Sequence, residues 1–481
     1  MTTIIGRKKE QAELLRLSNS NQAELVAVYG RRRVGKTYLI REMFADRFCF
    51  YHTGVSTMEL NGKRLTERQL TAFVTSLQYY GANISKSPKN WFEAFNILKM
   101  FLEPKLRQSR QIVFIDELPW LDTPKSEFLS AFENFWNGWG AGQHNLMLIV
   151  CGSSTSWIKN NLINNYGGLY DRVTWEIQLS PFNLKESDEF LKSKNVILSQ
   201  YDTIQAYMAV GGIPFYLNYF MPGLSTAQNI DELFFVHKAK LKDEFNRLFK
   251  SLFINPENYV NIIKYLKKRN KGYTRDEICK GTGISSGRGL SEILKTLEAS
   301  DFIKSYIPFG CSKRQVTYKL SDNFCRFYLT FVEGNDTKDQ NYWSNSQNHG
   351  SITAWKGIAF EEVCFAHIQQ IKDALRIGGV TSSESAWNID GSDDHEGAQI
   401  DMIIERNDGV VNMCEMKFLK SEFEVSEKYS QKIAERIEIL SKKLSQNQYI
   451  HSTLVTTSGL KPGIHSNAFQ KVVTMDELFR D

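Results

Sequence analysis

Short apolar runs separated by helix-length segments dominate the first half of the chain. Leu25-Val26-Ala27-Val28-Tyr29, Phe48-Cys49-Phe50-Tyr51-His52, Ile112-Val113-Phe114-Ile115 and Leu146-Met147-Leu148-Ile149-Val150 lack an apolar/polar alternation, which marks strands buried on both faces. They predict an α/β fold with a mostly parallel sheet. Near residue 256 the pattern turns helical. Tyr259, Ile262, Ile263 and Leu266 recur at helical spacing, Thr274 to Ile278 opens a second helix, and Leu290, Ile293, Leu294 and Leu297 form one stripe of a third, with a hairpin expected near Val316 to Leu320. Residues 334–350 are polar and rich in Asn, Gln and Ser, the composition of a linker. The expected organisation is an α/β core with a helical lid over 1–255, a helical module with a hairpin over 256–333, a linker over 334–350, and a further α/β domain over 351–481.

Composition narrows this picture only a little. A length of 481 residues with 42% apolar residues suits a globular chain of about three domains. The amino terminus reaches charge at Arg7-Lys8-Lys9-Glu10, and no run approaches the roughly 20 apolar residues of a membrane span. A cytoplasmic protein without a membrane partner is expected. The seven cysteines form no C-x-x-C pair, so neither a disulfide framework nor a zinc knuckle is indicated. Residues 1–350 carry 45 Lys+Arg against 34 Asp+Glu, and residues 351–481 carry 14 against 20. The basic part suits nucleic acid and the acidic part suits metal, and solvated surface charge explains either equally well.

Chemistry enters at Gly30-Arg31-Arg32-Arg33-Val34-Gly35-Lys36-Thr37, a G-x-x-x-x-G-K-[ST] loop between a predicted strand and a predicted helix. Such a loop turns backbone N–H groups, from Gly30 through Arg33, Val34 and Gly35, toward phosphates at a helix amino terminus. Lys36 then reaches the β and γ phosphates of ATP, and Thr37 offers its hydroxyl to Mg²⁺. Asp116-Glu117 closes the strand from Ile112; Asp116 would hold Mg²⁺ through water, and Glu117 would polarise the attacking water. Ser154, after the strand from Leu146, is a candidate for the γ-phosphate or the lytic water, and equally for a helix cap. Arg172 is either an arginine supplied to a neighbouring subunit's nucleotide in a homo-oligomer or half of a surface ion pair.

A second chemical pattern lies between Gln399 and Lys417, which reads as two strands joined near Asn407-Asp408-Gly409. A two-residue loop would send Asp401 and Glu415 to opposite faces. A three-residue loop with Gly409 in the left-handed conformation pairs them, about 5 Å apart at Cβ, with Lys417 on the same face. Neighbouring carboxylates repel unless a cation lies between them, and Mg²⁺ takes one or two carboxylates plus water and phosphate oxygens. Lys417 would orient or deprotonate a water, or neutralise a pentavalent phosphate. The alternative is a salt-bridge ladder on a solvated strand face.

Three resemblances follow from these residues. Ile5-Gly6-Arg7 and Glu10, the phosphate loop, Asp116-Glu117, Cys151-Gly152-Ser153-Ser154 and Gly211-Gly212-Ile213-Pro214 in this order resemble archaeal-type ATPases of the AAA+/STAND class. That resemblance implies a P-loop NTPase with a helical lid, Gly6-Arg7 flanking the adenine, and the Gly212 turn near the nucleotide. Residues 257–321 resemble a winged helix-turn-helix, which implies DNA contact through Ser285, Ser286, Arg288 and Lys295, with Lys313 and Arg314 on the wing; modules of this kind also serve as protein contacts or spacers. Asp401 with Glu415-x-Lys417 resembles the PD-(D/E)xK nuclease core, although Ile400 stands where the motif's proline would be. The resemblance implies Glu361, on a preceding helix, as a further metal ligand with Asp401 and Glu415. Together these imply an ATP-dependent, Mg²⁺-assisted nuclease, or a nucleotide-operated regulator that binds DNA or protein without cutting.

Overall fold

The computed structural model describes residues 4–56, 64–164, 167–169, 171–253, 255–312, 314–389 and 398–480; the wing candidate Lys313 lies outside them. The chain divides into two compact units. One holds residues 1–181 with 248–256 and 295–301, the other residues 182–247, 257–294 and 302–481. One break, between 256 and 257, falls within a residue of the boundary expected there; none falls at 334 or 351, and the others lie after 181, 247, 294 and 301.

The first unit is built on five parallel strands: β1 Glu24–Tyr29, β2 Phe48–Thr53, β3 Gln111–Asp116, β4 Leu146–Gly152 and β5 Trp175–Gln178, in the order β2-β3-β4-β1-β5. Four are the expected apolar runs. β5 was not expected, because on the sheet edge beside β1 it buries Ile177 alone, too little for an apolar run. The helices Leu65–Tyr79, Trp91–Leu106 and Phe128–Gly138 pack Phe73, Trp91, Phe95, Phe128 and Phe132 into one core with the strands. Burying such side chains contributes about 1.5–3 kcal/mol each. Asn90 opens the second of these helices by accepting the Glu93 N–H, so its start is set locally.

In the second unit, capping boxes at Asn183 and Ser225 start the helices Leu184–Ser193 and Thr226–Phe234. The helices Glu257–Leu266 and Arg275–Thr282 follow in sequence, and then Arg288–Ala299, whose residues up to Leu294 belong to this unit. β6 Tyr273–Thr274, β7 Ile303–Tyr306 and β8 Thr317–Leu320 form a small antiparallel sheet in the order β6-β8-β7. The stretch expected as a linker instead carries the helix Tyr342–Asn345, whose Trp343 and Ser344 N–H groups are bound by Asp231 at 2.7 and 3.0 Å. Trp343 is buried against Phe327, Phe331 and Trp355. One tryptophan anchors an otherwise polar segment.

The C-terminal strands are β9 Ser382–Ile389, β10 Ala398–Arg406, β11 Val410–Lys417, β12 Tyr449–Thr456 and β13 Lys471–Thr474, in the order β13-β12-β11-β10-β9. β9, β10 and β11 are antiparallel; β11, β12 and β13 are parallel. Val411 and Met413 pack with Ile433 and Leu440 of the helix Glu427–Ser441. Cys414, out of phase with them, lies beside Cys364 of the helix Gly350–Ala366. Both faces are therefore covered, which is why β11 is buried along nearly its whole length. No helix among the described residues is long and apolar enough to cross a membrane.

Candidate functional site

At the carboxyl end of β1 the backbone turns sharply. Gly30 has φ +140°, and a Cβ there would stand 2.2 Å from the Leu179 carbonyl oxygen, so only glycine fits. Arg33 and Gly35 are left-handed, and the helix Lys36–Phe44 begins at once, leaving its first N–H groups without intrahelical partners. The Lys36 ammonium is buried and donates to the Gly30 and Arg31 carbonyls, both at 2.9 Å. Arg7, also buried, donates to the carbonyls of Val34 and Ser180, tying the N-terminal segment to the loop.

β3 lies two strands from β1, with β4 between them, and delivers Asp116 and Glu117. The Thr37 hydroxyl donates to Asp116 Oδ2 at 2.8 Å, bringing together the two groups that hold Mg²⁺ in a phosphate-loop site. Burial, then the neighbouring Glu117 charge, push the Asp116 carboxyl above its usual range, and the Thr37 bond partly offsets this. Glu117 is left-handed, and its Oε2 accepts the Ser153 N–H at 3.0 Å and the Ser153 hydroxyl at 2.9 Å. The hydroxyl that meets Glu117 is therefore that of Ser153. Ser154 stands at the amino end of the short helix Thr155–Ile158 without a side-chain cap bond. β4 runs on to Gly152, beyond the Val150 end of the apolar run, and that extension brings Ser153 to Glu117. Arg172 is exposed after a turn at Leu169.

The second constellation lies wholly within the second unit. Met402 faces Cys414 and Glu405 faces Val411, a register that places Asp401 opposite Glu415 through the three-residue loop, with Gly409 at φ +85°. The ladder ends at Met402 and Cys414, and beyond it Asp401 Oδ2 accepts the Met416 N–H at 2.9 Å. Glu361 shares a cleft with Asp401, whereas its neighbour Glu362 turns to Lys319 and Arg326. Glu415, 2% exposed, has both oxygens engaged: Oε1 with Arg436, and Oε2 with the Tyr429 hydroxyl at 2.8 Å and Lys417 at 3.5 Å. Among the described residues no three His, Cys, Asp or Glu side chains form a metal-binding group. The expected triple of Glu361, Asp401 and Glu415 is thus replaced by a Glu361–Asp401 neighbourhood with an ion-paired Glu415 beside it. Arg436 and Tyr429, on the helix Glu427–Ser441, carried no signal in the sequence.

Burial and the Glu415 charge raise the Asp401 carboxyl to about 6; burial and the Asp401 charge raise that of Glu361 to about 8. Both folded values lie above the unfolded ones, so the folded state keeps protons that the unfolded chain has lost. Its stability therefore falls as pH rises between about 4 and about 8. Thermal unfolding of the second unit across this range should show that decline, and Asp401→Asn should flatten it.

In the helical module Ser285, Ser286, Arg288, Lys295 and Arg314 are all exposed. Arg275 donates to Ser286 at 2.8 Å, and Arg288 pairs with Glu292 at 2.6 Å.

Residues 4–220 match the family model described as an ATPase domain predominantly from Archaea. An uncharacterized protein of Methanocaldococcus jannaschii is 23% identical over 86% of this chain and 87% of its own length. An uncharacterized ATP-binding protein of the same organism is 46% identical over 43 residues, which is 9% of this chain and 73% of that protein. Among solved structures, a Walker-type ATPase of Pyrococcus abyssi covers 68% of this chain and 96% of its own, at 21% identity and a TM-score of 0.47. The stretch similar to that family model, residues 4–220, includes the phosphate loop and all five strands of the parallel sheet.

Proposed function

We propose that this chain is an ATP-hydrolysing protein whose nucleotide cycle controls a metal-dependent DNA nuclease in its C-terminal domain. The bond from Thr37 to Asp116 carries the ATPase half, because it joins loop and acidic strand where the phosphates and Mg²⁺ would be held. The loop N–H groups bind the phosphates, and Lys36 exchanges its two carbonyl partners for phosphate oxygens. Mg²⁺, when bound through Thr37 and Asp116, supplies positive charge to the β and γ phosphates. Glu117 accepts the proton of the attacking water, and Ser153 holds that carboxylate in place. Exposed Arg172 is available to a neighbouring subunit's nucleotide in a homo-oligomer.

For the nuclease half, support comes from the pairing of Asp401 with Glu415, with Lys417 two residues along and Glu361 across the cleft. Burial, and then the charge of a neighbouring carboxylate, raises the carboxyls of Asp401 and Glu361, and a bound cation would offset both effects. A divalent ion there supplies Lewis acidity toward a phosphodiester. Lys417 orients the water, and Glu415 holds Lys417 in turn. The three helices and small sheet of residues 257–320, read as a winged helix-turn-helix, present Ser285, Ser286, Lys295 and Arg314 to DNA.

The engagement of both Glu415 oxygens favours a second reading, in which the domain binds DNA or protein without cutting. Cleavage of linear and circular DNA by the purified chain with Mg²⁺ or Mn²⁺ separates the two. Asp401→Ala should abolish cleavage, and undiminished cleavage in that variant removes the nuclease assignment.

A further inference from the structure

The cleft holding Glu361 and Asp401 is walled from two parts of the chain. Asn270, Lys271 and Lys319, from the helical module, line it opposite the two carboxylates. Asn270, in the turn between the helix Glu257–Leu266 and β6, donates its amide to Glu361 Oε2 at 2.7 Å. The Tyr306 hydroxyl donates to the Lys271 carbonyl at 2.7 Å and so fixes that turn. One residue beyond Glu361, Glu362 binds Lys319 at 3.0 Å and stands 3.7 Å from Arg326, all three groups almost wholly buried. The Lys319 ammonium also lies 3.6 Å over the Phe365 ring.

A module seated on a site is either a cover that lifts off or a wall that belongs to it. A cover needs a hinge, and the connection here is packed. β8 leads into the helix Asn323–Phe327, where Phe327 stacks edge-on against Trp355 of the helix that carries Glu361. Phe331 and Trp343 complete the same aromatic cluster. Lys319 and Arg326 are moreover two buried cations sharing one carboxylate, and that carboxylate comes from the helix Gly350–Ala366.

We propose that the helical module is a permanent wall of the carboxylate site, and that Asn270 is a positioning residue for Glu361. The proposal rests on the reading of Glu361 and Asp401 as a cation site. An amide suits the task because it donates to a carboxylate without adding a charge that would compete with the cation. By fixing one oxygen of Glu361, it sets the direction of the other.

The test is Mn²⁺ binding to the nucleotide-free, full-length chain, followed by electron paramagnetic resonance. Partners that orient a metal ligand typically contribute about 10- to 100-fold in affinity, and Asn270→Leu is expected to lose that much. Asn270→Gln should recover most of it. In the double variant Asn270→Leu with Glu361→Gln, binding should be no weaker than in Glu361→Gln alone, a non-additivity that general destabilisation does not produce. Should Asn270→Leu not unfold cooperatively, Asn270→Ala carries the same comparison. If Asp401→Asn abolishes binding while Asn270→Leu leaves it unchanged, the cation site stands and the role of Asn270 falls. Tighter binding in Asn270→Leu makes the module a cover and also overturns the proposal. Binding indifferent to Asp401→Asn overturns the cation reading itself, and the proposal with it.

Discussion

Glu117→Gln is expected to slow ATP hydrolysis by about two to four orders of magnitude, the usual share of a positioned general base, while ATP still binds. The glutamine carbonyl can accept both Ser153 hydrogen bonds that Glu117 Oε2 accepts now, so the loop after β4 keeps its place. What the amide cannot do is take a proton from water. The phosphate loop, Lys36 and the Thr37–Asp116 bond are untouched, so affinity for a fluorescent ATP analogue should stay within a few-fold of the parent. Loss of binding together with hydrolysis would make Glu117 a structural residue of the loop. Unchanged hydrolysis would remove it from the chemistry altogether.

The second large effect is on stability. Glu362→Gln is expected to destabilise the second unit by about 3–5 kcal/mol, the range for breaking a buried ion pair by removing one partner. Burial holds the Lys319 ammonium below its usual range and Glu362 offsets this; the Arg326 guanidinium is lowered by burial and likewise supported by Glu362. Without that carboxylate the two cations face each other in the core. Hydrogen exchange in the helix Gly350–Ala366 reads the change directly. The pair Lys442–Glu438, with both side chains about two-thirds exposed, is a built-in comparison: its disruption should change stability by no more than about 1 kcal/mol. Equal effects at the two sites would mean that Glu362 is not the neutralising partner.

Local geometry made part of this molecule legible in the sequence. The loop from Gly30 to Thr37, between an apolar strand and a helix, needed no distant information; the β10–β11 turn left two registers open, and the three-residue loop with Gly409 left-handed is the one that forms. Of the adjacent pair, it is Glu361, which the resemblance implied, that shares the cleft with Asp401, while Glu362 turns to Lys319 and Arg326. Features that depend on distant parts of the chain were hidden. Ser153 meets Glu117 only because β4 extends beyond its apolar run. Arg436 and Tyr429 reach Glu415 from a helix whose polar positions look like ordinary solvated ones. Asn270 comes to Glu361 from 91 residues away. The segment 334–350 looked like a linker because its composition is polar, and a single tryptophan pinned against Phe327, Phe331 and Trp355 overrides that average.

The coupling of the two sites is the central claim, and the rate of DNA cleavage with and without ATP tests it most directly. The parent chain should cleave at a rate that changes with ATP. Lys36→Ala should lose that dependence while still binding Mn²⁺ at the Asp401 site. Cleavage that proceeds at one rate with ATP, without ATP and in Lys36→Ala would contradict the account, leaving an ATPase and a nuclease that share a chain but not a mechanism.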